Sequence, residues 1–187
     1  MKLEVSAEIP FPRMQVFNIY RDKLPELVKY LPNIRSITQV SRSQEGATIK
    51  MLNLWKGGGE IPAVVRKFLS EDLLQWDDHA SWHTDKITCD WRTVVPSFKD
   101  AVDCAGSNRY DELGPNLTKL TISGHLNVDA RKVKGVPGFL AGTIGPAIEA
   151  FLVNSIKPNL ISVAKGVGDY LRTNPGAGLE PATAPAP

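Results

Sequence analysis

Between residues 34 and 129 the chain alternates apolar and polar positions in six successive segments, then abandons that period for one long helical repeat. This change of period limits the fold more than any other feature. The segments lie near 34–42, 47–55, 73–82, 87–95, 101–112 and 117–129. Turn chemistry breaks them at Glu45-Gly46, Trp55-Lys56-Gly57-Gly58-Gly59, Thr84-Asp85, Pro96-Ser97 and Gly114-Pro115-Asn116. Sequential strands joined by short turns pair with their neighbours, so an antiparallel meander is expected.

A further strand precedes the meander. In Lys2 to Ile9, Leu3, Val5, Ala7 and Ile9 share one face while Lys2, Glu4, Ser6 and Glu8 share the other. Pro10 and Pro12 end it, and Met14, Val16, Phe17, Ile19 and Tyr20 then mark a short helix reaching about Asp22. Leu24, Leu27, Val28 and Leu31 mark a second, with Pro25 near its start and Pro32 at its stop. Beyond Gly135-Val136-Pro137-Gly138, the residues Ile144, Ile148, Phe151, Leu152, Ile156, Leu160, Val163, Val167 and Leu171 form the apolar stripe of a long helix. Its length of ~27 residues corresponds to ~40 Å, and Pro158 is expected to kink it. The fold class is therefore α+β, with a sheet of about seven antiparallel strands, two short helices after the first strand and one long C-terminal helix. Residues 1–172 read as one domain, and residues 173–187, rich in Pro, Ala and Gly, as a disordered tail.

Charge and composition exclude several classes of function. The net charge is +2, and it is unevenly spread: residues 1–69 carry +5, residues 70–112 carry −6 and residues 113–187 carry +3. An acidic middle opposes a nucleic-acid footprint, which needs basic residues clustered on one face. Cys89 and Cys104 lie in strand-like segments without a disulfide framework around them, which points to a reducing compartment. The first residues lack the apolar run of a signal peptide, and no stretch reaches the ~18 apolar residues of a membrane span. A cytoplasmic protein is the expectation.

The inward-facing set of the meander is both apolar and bulky. Ile49, Met51 and Trp55 share a face, as do Leu74, Trp76, Ala80 and Trp82, then Ile87, Cys89, Trp91 and Val95, then Leu120, Ile122, Leu126 and Val128. A single sheet must cover such a face, and the long helix is the element available to do it. A bent sheet around one helix leaves concave apolar space wherever large side chains do not fill it.

The order strand, two short helices, meander, long helix resembles the START-like, or SRPBCC, superfamily with its helix-grip fold, which includes pollen-allergen and polyketide-cyclase domains. Pro62-Ala-Val-Val-Arg-Lys-Phe-Leu before a strand, Trp82 and Trp91 on successive strands, and Gly142-Thr-Ile-Gly-Pro-Ala-Ile-Glu149 are similar to a bacterial branch of unknown function and, more distantly, to PRELI-type phospholipid carriers. The resemblance spans residues 1 to about 172. It implies a cavity for a hydrophobic, lipid-like molecule that the domain binds or shuttles, and the lack of catalytic groups on the inner face points to a role without catalysis or a cofactor. The expected walls are Met51, Trp55, Trp76, Trp82, Cys89, Trp91, Cys104, Tyr110, Ile122 and Leu126 from the sheet, and Ile148, Leu152 and Ile156 from the helix. Residues 56–70 match a lid over the mouth, with Ile61, Val64, Val65 and Phe68 as its apolar side. The alternative within the same superfamily is a polyketide cyclase or aromatase, for which Asp78, Asn108 or Tyr110 would have to converge inside the cavity.

The remaining candidate groups have simpler readings. Gly57-Gly58-Gly59 is not followed by the lysine and hydroxyl residue of a phosphate loop and reads as a hinge. His79 and His83 would lie ~13 Å apart on a strand, too far for a shared metal, and His125 falls on the polar face. No metal site is therefore expected. Both cysteines read as core residues lacking an adjacent base. Asp78 is the one charge in the inward register of its strand, and displacement at a rim or bulge is the simplest account. Arg66, Lys67, Arg131, Lys132 and Lys134 form a candidate membrane-contact patch, through which a carrier would load its ligand.

Overall fold

A computed structural model of the chain describes residues 1–58, 74–133 and 138–179. In chain order the elements are β1 (Lys2–Ile9), α1 (Arg13–Asp22), a 3-10 helix (Leu24–Tyr30), β2 (Ile34–Glu45), β3 (Thr48–Gly57), β4 (Gln75–His83), β5 (Thr88–Val94), β6 (Val102–Gly114), β7 (Leu117–Val128) and α2 (Ala141–Thr173). The strands form one antiparallel sheet in the order β1-β7-β6-β5-β4-β3-β2. Strands β2 to β7 are the expected meander. Strand β1 joins its far edge beside β7, so α1 and the 3-10 helix carry the chain from one edge of the sheet to the other.

Helix α2 buries Ile148, Leu152, Val153, Val163, Val167 and Leu171 against the sheet and the short helices. It is longer than its apolar stripe suggested, and both Pro146 and Pro158 lie inside it. The core divides into two clusters. One gathers Phe17, Tyr20, Met51, Trp82, Tyr110, Val163 and Leu171 around α1 and the C-terminal half of α2. The other gathers Leu3, Val95, Cys104, Leu126, Ile148 and Leu152 around the N-terminal half.

Three polar residues of α1 are also buried, each for a local reason. Gln15 donates from Nε2 to the carbonyls of Pro175 and Ala177, at 3.0 Å each, and Asn18 donates from Nδ2 to that of Gly178 at 2.9 Å. The segment after α2 thus returns along α1, with Ala177 packed on the core, although its composition had suggested a tail with nothing to bury. Arg21, 3% exposed, donates from Nε and Nη2 to the Asp22 carboxylate at 2.9 and 2.6 Å. Arg42 of β2 donates to the same carboxylate at 2.8 Å, tying the β2–β3 hairpin to α1.

Candidate functional site

Cross-strand register arranges the concave face into transverse rows. Asn53, Asp78, Thr93, Cys104 and Leu126 form one row across β3 to β7. The next is Met51, Ala80, Trp91, Gly106 and Gly124, and the third is Ile49, Trp82, Cys89, Asn108 and Ile122. Directly paired residues share a face with Cβ atoms ~5 Å apart, so each row is a band of neighbouring side chains. The first row is polar along three of its five positions, and Asn108 of the third row is the other polar residue among the three rows.

A cavity of about 190 Å³ lies between this face and α2. Trp55, Trp76, Trp82, Cys89, Trp91, Cys104 and Leu126 line it from the sheet, and Leu152 and Ile156 from α2. Met51, Tyr110, Ile122 and Ile148 do not reach it. They are packed in the two core clusters, Tyr110 with its ring edge-on to Phe17 at 5.3 Å between centroids. Tyr20, Leu24, Asn159, Leu160 and Val163 complete the wall from the helices, and Asp78, Thr93 and Asn108 complete it from the sheet. Trp55 and Trp76, paired across β3 and β4, stack with planes 18° apart and centroids 5.8 Å apart.

The Trp91 indole occupies the space over Gly106 and Gly124, the two positions beside it that carry no side chain. A Cβ on Gly106 would stand 2.5 Å from the Trp91 ring, and one on Gly124 would stand 3.0 Å from it. These glycines pair with each other across β6 and β7, which opens a notch for the indole. The indole N–H then donates to Asn108 Oδ1 at 2.9 Å.

Asp78 is not displaced by a bulge. The β3–β4 and β4–β5 registers run through it without a shift, and its side chain faces the cavity. Asn53 donates to its Oδ2 at 3.2 Å, and the Trp55 N–H is near enough to favour the charged form without completing a hydrogen bond. Burial outweighs both contacts and raises the Asp78 pKa to about 6. Burial likewise pushes the Tyr20 hydroxyl up, reinforced by the Asp78 charge, and pushes Tyr110 up well above the usual range. Asn108 sits near both hydroxyls and opposes these shifts. Two other groups on wall residues, Trp82 Nε1 and Asn159 Oδ1, have no hydrogen-bond partner among the described residues.

The cysteines are neutral wall residues. Burial raises the Cys89 pKa well above its ordinary value and that of Cys104 to about 11. Cys89 also donates weakly to the Asp90 carbonyl, at 3.6 Å. The histidines face away from the cavity: His83 meets Asp90 at 3.0 Å, His125 meets Asp103 at 2.8 Å, and His79 is exposed. Arg131 and Lys132 both pair with the one Asp129 carboxylate, at 2.9 and 3.8 Å, which offsets one of their two charges. Ile61, Val64, Val65, Phe68, Arg66, Lys67 and Lys134 lie outside the described residues.

No family model matches the sequence, and no curated protein matches it either. Solved structures do. The Zhui aromatase/cyclase from Streptomyces sp. R1128 superposes with a TM-score of 0.63 at 12% identity, over 95% of this chain and 98% of that one. A protein from Thermus thermophilus gives 0.62 at 15% identity, over 91% and 99%. Norcoclaurine synthase from Thalictrum flavum gives 0.56 at 13% identity, over 92% and 86%. Identities this low carry the fold and not the chemistry. Seven antiparallel strands in this order, gripping one long C-terminal helix over an internal cavity, give the chain the helix-grip fold of these solved structures.

Proposed function

We propose that this protein binds one small, mainly apolar molecule in the cavity between the sheet and α2. The observation that carries this reading is the wall itself, which brings all four tryptophans of the chain and an aliphatic face of α2 around about 190 Å³ of space. Cavities of ~150 Å³ lined by apolar side chains already accept a benzene ring, so this one suits a fused ring system or a short single chain. A two-chain phospholipid exceeds it. Burial of ligand carbon would drive binding at ~0.8 kcal/mol per methylene.

Native mass spectrometry of protein purified without detergent tests this reading. A one-to-one adduct with a co-purified molecule or with added naphthalene derivatives is expected. Ala80 is buried, lines the cavity and lies between Met51 and Trp91 in its row, so Ala80→Phe should fill the space and abolish the adduct while the protein remains folded. A wild-type protein that neither carries nor accepts any such molecule overturns the reading.

A second reading has its own observation. Asp78, Asn108 and Tyr20 line the same cavity, as a cyclase-type enzyme would require, and a carboxyl titrating near pH 6 can exchange protons close to neutrality. Tyr110 does not join them at the wall. Recovery of the bound molecule with its mass unchanged after prolonged incubation distinguishes holding from turnover.

A further inference from the structure

Granting that the cavity takes a ligand, we infer that the ligand is a hydrophobic amine, its ammonium held by the Asp78 carboxylate and its carbon body by the surrounding indoles. Among the described residues lining the cavity, Asp78 is the only charged side chain, and no lysine, arginine or histidine faces it there. Among the described residues its hydrogen bond comes from a neutral amide, Asn53. A half-buried carboxylate facing an indole-lined cavity without a cationic partner is costly, and a bound cation is the partner that removes the cost.

The walls support the same charge. Tryptophan faces are the strongest aromatic partners of a cation, and Trp55, Trp76, Trp82 and Trp91 all contribute to this cavity. Thr93, directly across from Asp78 in the row, also lines the cavity and offers a hydroxyl oxygen as a further acceptor for an ammonium N–H. An anionic ligand meets the opposite situation, because its charge would face Asp78 with no compensating cation among the described residues of the wall.

Three probes of one shape and different heads separate this inference from the binding reading beneath it: 2-naphthylmethylamine, 2-naphthalenemethanol and 2-naphthoic acid, titrated calorimetrically into the full chain at pH 7.5. The amine is expected to bind at least tenfold more tightly than the alcohol, with the carboxylate weakest. Asp78→Asn should bring the amine down to the level of the alcohol. If all three bind equally, or if the acid binds as tightly as the amine, the inference falls while the cavity reading stands. If the amine keeps its advantage in Asp78→Asn, the assignment to Asp78 falls. If none binds in wild type, both readings fall together.

Discussion

Asp78→Asn is expected to make the folded protein more stable at neutral pH, by up to about 3 kcal/mol. The wild-type carboxyl has a pKa raised from 3.8 to about 6 in the folded state, so between those values the folded protein holds a proton that the unfolded chain has released. Stability therefore falls as pH rises through that window and levels off above it. Asparagine keeps the shape and removes the charge. Its advantage should be complete above about pH 7 and vanish below about pH 4. The groups facing Asp78 do not confound this reading, because Tyr20 and Cys89 stay neutral across the range and Asn53 does not titrate. His79 of the same strand points to the opposite, exposed face, from which a positive charge on it favours the ionised Asp78 only as the last of the contributing causes. Urea unfolding of both proteins at pH 4, 5.5 and 7.5 gives the comparison. A variant less stable than wild type at pH 7.5, or a difference that ignores pH, would overturn this account.

Gly106→Ala is expected to cost more than about 3 kcal/mol, at or beyond the upper end of ordinary overpacking. The added methyl would stand 2.1 Å from the Ser123 carbonyl oxygen and 2.7 Å from the Gly124 Cα, both backbone atoms of the paired strand. Neither can rotate away, so β6 and β7 would have to part and Trp91 would have to leave its notch. A methyl on Gly114, also in β6, would meet nothing within 4 Å, and Gly114→Ala should change stability by less than about 0.5 kcal/mol. Denaturant midpoints of the two variants decide the matter. Equal stability would mean that the sheet has slack where the structure shows none.

The architecture was legible because its signals are periodic. Each strand from β2 to β7 lies within a few residues of an alternating segment, and the apolar stripe from Ile148 to Leu171 is the buried side of α2. The cavity was legible only in part. Alternation says which side chains face inward but not which of them meet empty space, so Met51, Tyr110, Ile122 and Ile148 were indistinguishable from Trp76 and Leu152. Depth along the helix and packing under α1 separate these groups, and neither leaves a period in the sequence. Tyr20 belongs to an apolar helix face whose target is fixed only when the chain crosses from β1 to β2.

Asp78 shows the same limit from the polar side. A charge in an inward register usually signals an irregular strand, and the sequence offered that reading first. Its true setting depends on Asn53 and Thr93, which become its neighbours only through pairing with two other strands. Gly106 and Gly124 were silent for a related reason. Each is an ordinary strand glycine until the register sets them opposite one another beneath an indole from a third strand.

The gathering of every tryptophan at one cavity has an optical consequence. The indole emission of the whole chain arises from the wall of a single space, with no distant tryptophan to dilute it. Water in that space and an apolar guest present different polarity to the same four rings, and the stacked Trp55–Trp76 pair allows excitation to pass between neighbours. The protein therefore carries its own occupancy gauge, readable as a shift in emission wavelength without any label.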